Sequence, residues 1–257
     1  MKLSIITINY NNRTGLEKTI QSVLSQTFTD YEYIIIDGGS TDGSREVIES
    51  VKDRLAYWCS EPDKGIYNAM NKGIAKAKGE YLQFLNSGDY LYDAQVLQKV
   101  FEKERTADIL YGYMIIDGNN VVGNKAIMKP VLYWNDFWGN TLPHQSTFTK
   151  KELFDKYGSF DETYKIVADA KFFIRTIVWE KSSYDFIPEK IAVFQPGGVS
   201  SGKERFYERD VRLRNEMFPK MVIDDLSSIR ALRRIQKHVF LRKCFTLLSI
   251  VANKLEG

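Results

Sequence analysis

The residues best placed to do chemistry fall in three short polar clusters, each closing an apolar run. "LSIITIN" leads into "YNN" (Tyr10–Asn12), "YEYIIID" into "GGSTDGS" (Gly38–Ser44), and "YLQFL" into "NSGD" (Asn86–Asp89). Such runs read as buried parallel strands, and the clusters as the loops at their carboxyl ends. Ligands of open α/β sheets bind at those ends, so the three loops outline one site. The loops carry carboxylates but few cations. That suits a nucleotide held partly through Mg²⁺ or Mn²⁺, hard cations that take oxygen ligands and bridge to phosphates.

Each candidate has a plainer alternative. Asp37 ends its strand with no evident structural duty, whereas Asp42 and Ser44 could simply cap the next helix. Asp89 could ligate a metal, or its loop could serve only to cap the segment beginning near Asp93. Asp169, in "VADAKFFIR", heads an amphipathic helix with Phe172, Phe173 and Ile177 on its apolar face. There it is either a first-turn acid favoured by the helix dipole or a general base for a substrate hydroxyl. His144, in "TLPHQSTF", is one of two histidines; His238 lies in a basic helix and reads as surface.

The elements that must position these residues alternate. Strands at Leu3–Asn9, Tyr31–Asp37, Leu55–Cys59 and Glu80–Leu85 are interleaved with helices at Thr14–Gln26, Ser44–Lys52, Ile66–Lys78 and Ala94–Arg105. This pattern predicts βαβ units and a mainly parallel sheet flanked by helices. "ILYGYMIIDGNNVVGNKAIM" predicts an antiparallel hairpin. Helices at Lys150–Tyr157 and Ala168–Glu180, a strand at Tyr184–Phe194 and the loop "QPGGVSSG" follow. The tail reads as two helices separated near Pro219.

Composition narrows the class. Hydrophobic residues make up 44% and charged residues 27% of the chain, ordinary for a globular protein. Cys59 and Cys244 are the only cysteines, which supports no disulfide framework and fits a reducing compartment. Strand residues begin by Leu3 without a basic leader, so no signal peptide is expected. The net charge of +3 is unevenly spread: residues 203–257 hold 13 Lys or Arg against 7 Asp or Glu, and the remainder is net acidic. A nucleic-acid binder would show its basic and aromatic residues on the main fold, so none is expected as a partner. G-x-G-x-x-G, a P-loop and H-E-x-x-H are all absent.

Together these segments resemble the inverting family 2 glycosyltransferases with the nucleotide-diphospho-sugar transferase (GT-A) fold, over roughly residues 1–202. The resemblance rests on "SIITINYNN", "SVLSQTFTDYEYIIIDGGSTDGS", "EPDKGIYNAMNKGIAKAKGEYLQFLNSGD", "HQSTF", "GSFDE", "ADAKFF" and "GGVSS". It implies a GT-A domain at 1–202, a basic helical extension at 203–257, and a Rossmann-like sheet. The implied activity is metal-dependent transfer of a hexose, with inversion, from a nucleoside-diphosphate sugar (a UDP-sugar favoured). The acceptor would be a glycan or lipid-linked glycan in bacterial surface-polysaccharide assembly. Ile8, Tyr10, Asp37, Asp63, Asn86 and Gly88 would bind nucleotide, Asp89 the Mn²⁺ or Mg²⁺, and Asp169 would be the base. His144, Gly197, Gly198 and Ser200 would line the donor and acceptor. The enzyme would be cytoplasmic, with its tail on the inner face of the membrane or against a second copy in a homodimer. A non-catalytic binder of nucleotide sugar or glycan is the alternative.

Two departures from the family pattern matter below. Many members carry two adjacent aspartates in the second loop, the second contacting the base; here Asp37 is followed by Gly38, which points to Asp63 as the replacement. The common metal loop resembles D-S-D-D, whereas this chain has Asn86, Ser87, Gly88 and Asp89.

Overall fold

A computed structural model describes residues 1–118, 121–123, 125–197 and 207–225. The first part alternates as β1 (Leu3–Asn9), α1 (Arg13–Leu24), β2 (Tyr31–Asp37), α2 (Ser44–Ser50), β3 (Tyr57–Ser60), α3 (Ile66–Lys76) and β4 (Tyr81–Phe84). Then come β5 (Tyr90–Leu91), α4 (Val96–Phe101), β6 (Ile109–Ile116), β7 (Val121–Val122), β8 (Thr147–Lys150), α5 (Lys151–Tyr157), α6 (Ala168–Phe173) and β9 (Tyr184–Phe194). β1 is buried at all seven positions, as expected of a strand covered on both faces.

The sheet order is β3-β2-β1-β4-β8-β6-β9-β5, with β7 on β6. β1 to β4 pair in parallel, in a register that sets Asn9 beside Asp37 and Asp37 beside Ser60. Beyond β4 the sheet turns mixed: β8 is antiparallel to both β4 and β6, and β9 is parallel to β6. The expected hairpin forms, with Ile115 opposite Val122 and Ile116 opposite Val121. β8 is a strand the periodicity did not announce. Its four residues are too few to show an alternation, and three of them are threonine or lysine.

α6 is shorter than expected, passing at Ile174 into a π-helical turn that ends at Trp179. The buried Thr176 hydroxyl donates back to the Phe172 carbonyl at 2.9 Å, a bond that bends helices. Tertiary contacts divide the chain into Met1–Asp210 and Val211–Gly257. In the second unit the helix Arg214–Met217 stops before Pro219, as expected. Residues 226–257, with the basic helix expected from Arg230 to Lys243, lie outside the described residues. Among those described, no helix is long and apolar enough to cross a membrane.

Four buried aromatics seat α5 and α6 on the sheet. The Phe154 and Phe172 rings stack 4.4 Å apart, and Phe160 meets Phe84 of β4 edge-on at 5.2 Å. Phe172→Ala would leave a cavity under the helix that carries Asp169. The expected loss is about 3–5 kcal/mol of unfolding free energy, read from urea denaturation.

Candidate active site

The parallel half of the sheet brings the first two loops together through Asp37. This side chain is fully buried. Its Oδ1 accepts from Asn9 Nδ2 at 2.7 Å and from the Ser40 hydroxyl; its Oδ2 accepts from the Ser40 amide at 2.9 Å and the Ser60 hydroxyl at 2.6 Å. Burial alone would raise its pKa, but the donors, Ser40 and Ser60 foremost, outweigh that and hold the carboxyl below its ordinary range. Asp37 therefore has the structural duty the sequence did not reveal: it clasps the ends of β1, β2 and β3. The N-cap of α2 is Gly43, not Asp42 or Ser44; Asp42, one residue earlier, accepts from the Ser44 hydroxyl and amide.

The rim of this cleft is made by Tyr10 and the half-buried Asp63, which close on the buried Gly38. Tyr10 is two-thirds exposed. A Cβ placed on Gly38 would lie 2.6 Å from Asp63 Oδ2 and 3.2 Å from the Tyr10 ring. The space a second aspartate side chain would take is thus filled by a carboxylate from the loop after β3. That loop is pinned by Asp63 Oδ1, which accepts from the Gly65 amide at 2.8 Å. Ile8 faces the core, and only its backbone serves the site, accepting from the Ser87 amide at 3.0 Å.

Asp89 is placed differently from a metal ligand open to substrate. It is 5% exposed, and both oxygens are engaged: Oδ1 accepts from the Gln195 amide at 2.9 Å, Oδ2 from Gln145 Nε2 at 3.0 Å. Burial pushes its pKa up to about 6, against the opposing pull of those donors and of nearby His144. Gly88 has φ +101°, and a Cβ there would meet Gln195 Oε1 at 2.6 Å. Among the described residues no group of three His, Cys, Asp or Glu could hold a metal ion. With both oxygens of Asp89 engaged, the described residues do not fit a divalent cation held by the protein alone.

Asp169 and His144, far apart in sequence, meet. Asp169 Oδ2 lies 3.2 Å from His144 Nδ1, and Oδ1 accepts from the Tyr67 hydroxyl at 3.0 Å. Asn86 Nδ2 lies 3.3 Å from His144 Nε2. With Asn86 as donor, Nε2 accepts, and the ring proton sits on Nδ1, aimed at Asp169. Both residues line a cavity of about 390 Å³ whose apolar wall includes Met114, Ile116 and Phe194, with Arg209 at its edge. Of the "PGGVSS" loop, Gly197 is described, with φ +109° and no other described residue within 4 Å of where its Cβ would lie. Gly198 and Ser200 lie outside the described residues. Tyr67 and Gln195 escaped the sequence reading. Tyr67 reads as one more core residue of its helix, and Gln195 is an amide in a loop of ordinary composition.

A parallel half-sheet with an acid-bearing carboxyl edge, continued by a mixed half that supplies a second set of polar groups, is the architecture of GT-A transferases. The chain belongs to glycosyl transferase family 2, whose model matches residues 4–175. It is 33% identical over 210 residues to an uncharacterized glycosyltransferase of Mycobacterium tuberculosis, covering 79% of this chain and 78% of that one. It is 31% identical over 179 residues to a PGL/p-HBAD biosynthesis glycosyltransferase of Mycobacterium bovis, covering 67% and 68%. Staphylococcus aureus TarS in complex with UDP-GlcNAc superposes with a TM-score of 0.68 at 21% identity. That match covers 81% of this chain and 64% of the TarS chain, so this chain spans less than two thirds of that structure. The mannosyltransferase PcManGT of Pyrobaculum calidifontis, in complex with GDP-Man and Mn²⁺, gives 0.57 at 16% identity, covering 75% and 56%.

The buried Asp89 gives a pH prediction. An acid whose native pKa is raised holds its proton more tightly folded than unfolded. Its ionisation therefore costs stability as pH rises from about 4, the unfolded value, to about 6. Asp89→Asn keeps an acceptor for the Gln195 amide and cannot ionise. The difference in unfolding free energy between wild type and variant should move in the variant's favour, by on the order of 2 kcal/mol, between pH 4 and 7. Urea titrations at each pH check this; a pH-independent difference would count against it.

Proposed function

We propose that this chain transfers a hexose from a nucleoside-diphosphate sugar, a UDP-sugar by preference, to an acceptor hydroxyl with inversion. Asp169 is the observation that carries the reading. It is a nearly buried carboxylate, oriented through both oxygens by Tyr67 and His144, on the wall of a cavity large enough for a sugar unit. The nucleotide lies along the Tyr10 and Asp63 rim, where Asp63 offers an acceptor to donors on the base or ribose. The acceptor enters the 390 Å³ cavity. Its hydroxyl oxygen attacks C1 of the donor sugar, the bond from C1 to the diphosphate oxygen breaks on the opposite face, and Asp169 takes the hydroxyl proton. Attack opposite the leaving group inverts the anomeric centre.

The reading also rests on family membership and on the sugar nucleotide bound to TarS. The relative named for PGL/p-HBAD biosynthesis supports a glycolipid or polysaccharide acceptor. The apolar wall of the cavity suits an acceptor with a hydrocarbon or aromatic body beside its hydroxyl. Catalysis is favoured over simple binding because a binder has no use for a carboxylate held in this way.

Three experiments test this. A thermal-shift screen of UDP-, GDP- and dTDP-sugars should pick out one nucleotide through stabilisation by binding. Asp63→Ala should lower affinity for that nucleotide about tenfold or more in titration calorimetry, about the worth of one charge-assisted hydrogen bond. Asp169→Asn should keep donor affinity and lose transfer and slow donor hydrolysis by a factor of about 10²–10⁴. Wild-type turnover in that variant, or no turnover in the wild type with any bound donor, would leave only a binding protein.

A further inference from the structure

Glu208 lies just inside the first unit and is 8% exposed. Its two oxygens accept from consecutive backbone amides, Oε1 from Lys165 and Oε2 from Ile166, both at 2.8 Å. That fork fixes the peptide plane just ahead of α6. The carbonyl on the far side of the same residue, Ile166 O, accepts from the Tyr67 hydroxyl. The same hydroxyl donates to Asp169 Oδ1 at 3.0 Å. A phenol has one proton, so the Ile166 carbonyl and the Asp169 carboxylate compete for it. Tyr67 is buried, and burial together with the neighbouring Asp169 charge pushes its own pKa up, so it stays a donor.

We propose that Glu208 is a positioning residue for the base. By holding the 165–166 peptide it keeps Ile166 O within reach of Tyr67, and so sets how far Tyr67 satisfies Asp169. This rests on Asp169 being the base. While Asp169 is ionised, Tyr67 donates to it. When Asp169 takes the acceptor's proton, the Tyr67 hydroxyl swings to Ile166 O, so no buried hydroxyl is left without a partner. Tyr67 keeps its own proton throughout. The proton moves only from the acceptor hydroxyl to Asp169.

The test has opposite signs built in. Loss of the fork in Glu208→Gln, which sets an amide NH₂ against one backbone N–H, releases Ile166 O and gives the Tyr67 proton wholly to Asp169. Loss of the donor in Tyr67→Phe removes that stabilisation. With ¹³C-labelled aspartate, the Asp169 carboxyl carbon should titrate at lower pH in Glu208→Gln and at higher pH in Tyr67→Phe. Each shift should be roughly half to one pH unit from wild type, the size of one hydrogen bond to a carboxylate. The double variant should follow Tyr67→Phe. With UDP-GlcNAc as the first donor, the acid limb of kcat for hydrolysis should move in the same directions while the donor KM stays within twofold.

The NMR titration needs no donor, so it decides the proposal even if the catalytic reading fails. Glu208→Asp, which keeps the charge at shorter reach, stands in if Glu208→Gln does not fold, and should shift the titration the same way by less. A purely structural Glu208 would lower the melting temperature and leave the Asp169 titration unmoved. That result, or additive shifts in the double variant, would overturn the proposal.

Discussion

A carboxylate taken out of water at the end of a strand must find donors for both oxygens, because an unpaired buried charge costs several kcal/mol. In this chain the donors come mostly from other segments. Asp37 takes them from β1, from its own loop and from β3. Asp89 takes them from the segment before β8 and from the residue after β9. Asp169 takes them from α3 and from His144, and Glu208 takes two amides from the loop before α6. Loops on a sheet edge are ordinarily the most variable part of a fold. Here each is tied to a neighbour by an acid that neither loop could satisfy alone. The result is a rigid edge, the condition under which hydrogen-bond geometry a few tenths of an ångström apart can govern chemistry.

This dependence explains what could be read in the sequence and what could not. The strands β1, β2 and β4 were legible because apolar runs ending in Asn or Asp leave little choice of element. The duties of the acids did not follow, because a duty is a matter of which partner arrives from elsewhere. Asp37 and Asp89 look alike in sequence to Asp63, yet the first two are turned inward and Asp63 stands at the rim. Nothing in "HQSTF" shows that its histidine meets an aspartate 25 residues on. Nor do two consecutive amides at Lys165 and Ile166 show that Glu208 binds them. β8 was missed for a related reason: it is a short strand held by its neighbours more than by its own pattern.

The electrostatics of the two buried strand-end acids differ in a way that fits their placement. Asp37 has enough donors to stay ionised below the usual range, so its clasp holds over the whole working pH. Asp89 has one donor for each oxygen and loses the contest with burial, so it is ionised only near and above pH 6. One anchor of the site is therefore insensitive to pH and the other is not. The sensitive one bridges the β4 loop to the end of β9, next to the loop beginning at Gly197.

At two glycines of the site loops, Gly38 and Gly88, a side chain from a distant segment fills the space a Cβ would take. At Gly38 the intruder is Asp63, a carboxylate, so a negative charge stands against this loop although the loop itself has none at that position. At Gly88 the intruder is Gln195, a neutral amide. The two are not equivalent. A carboxylate presents acceptors only, whereas an amide side chain can also donate. Each space is filled by a residue that the fold, not the local sequence, delivers.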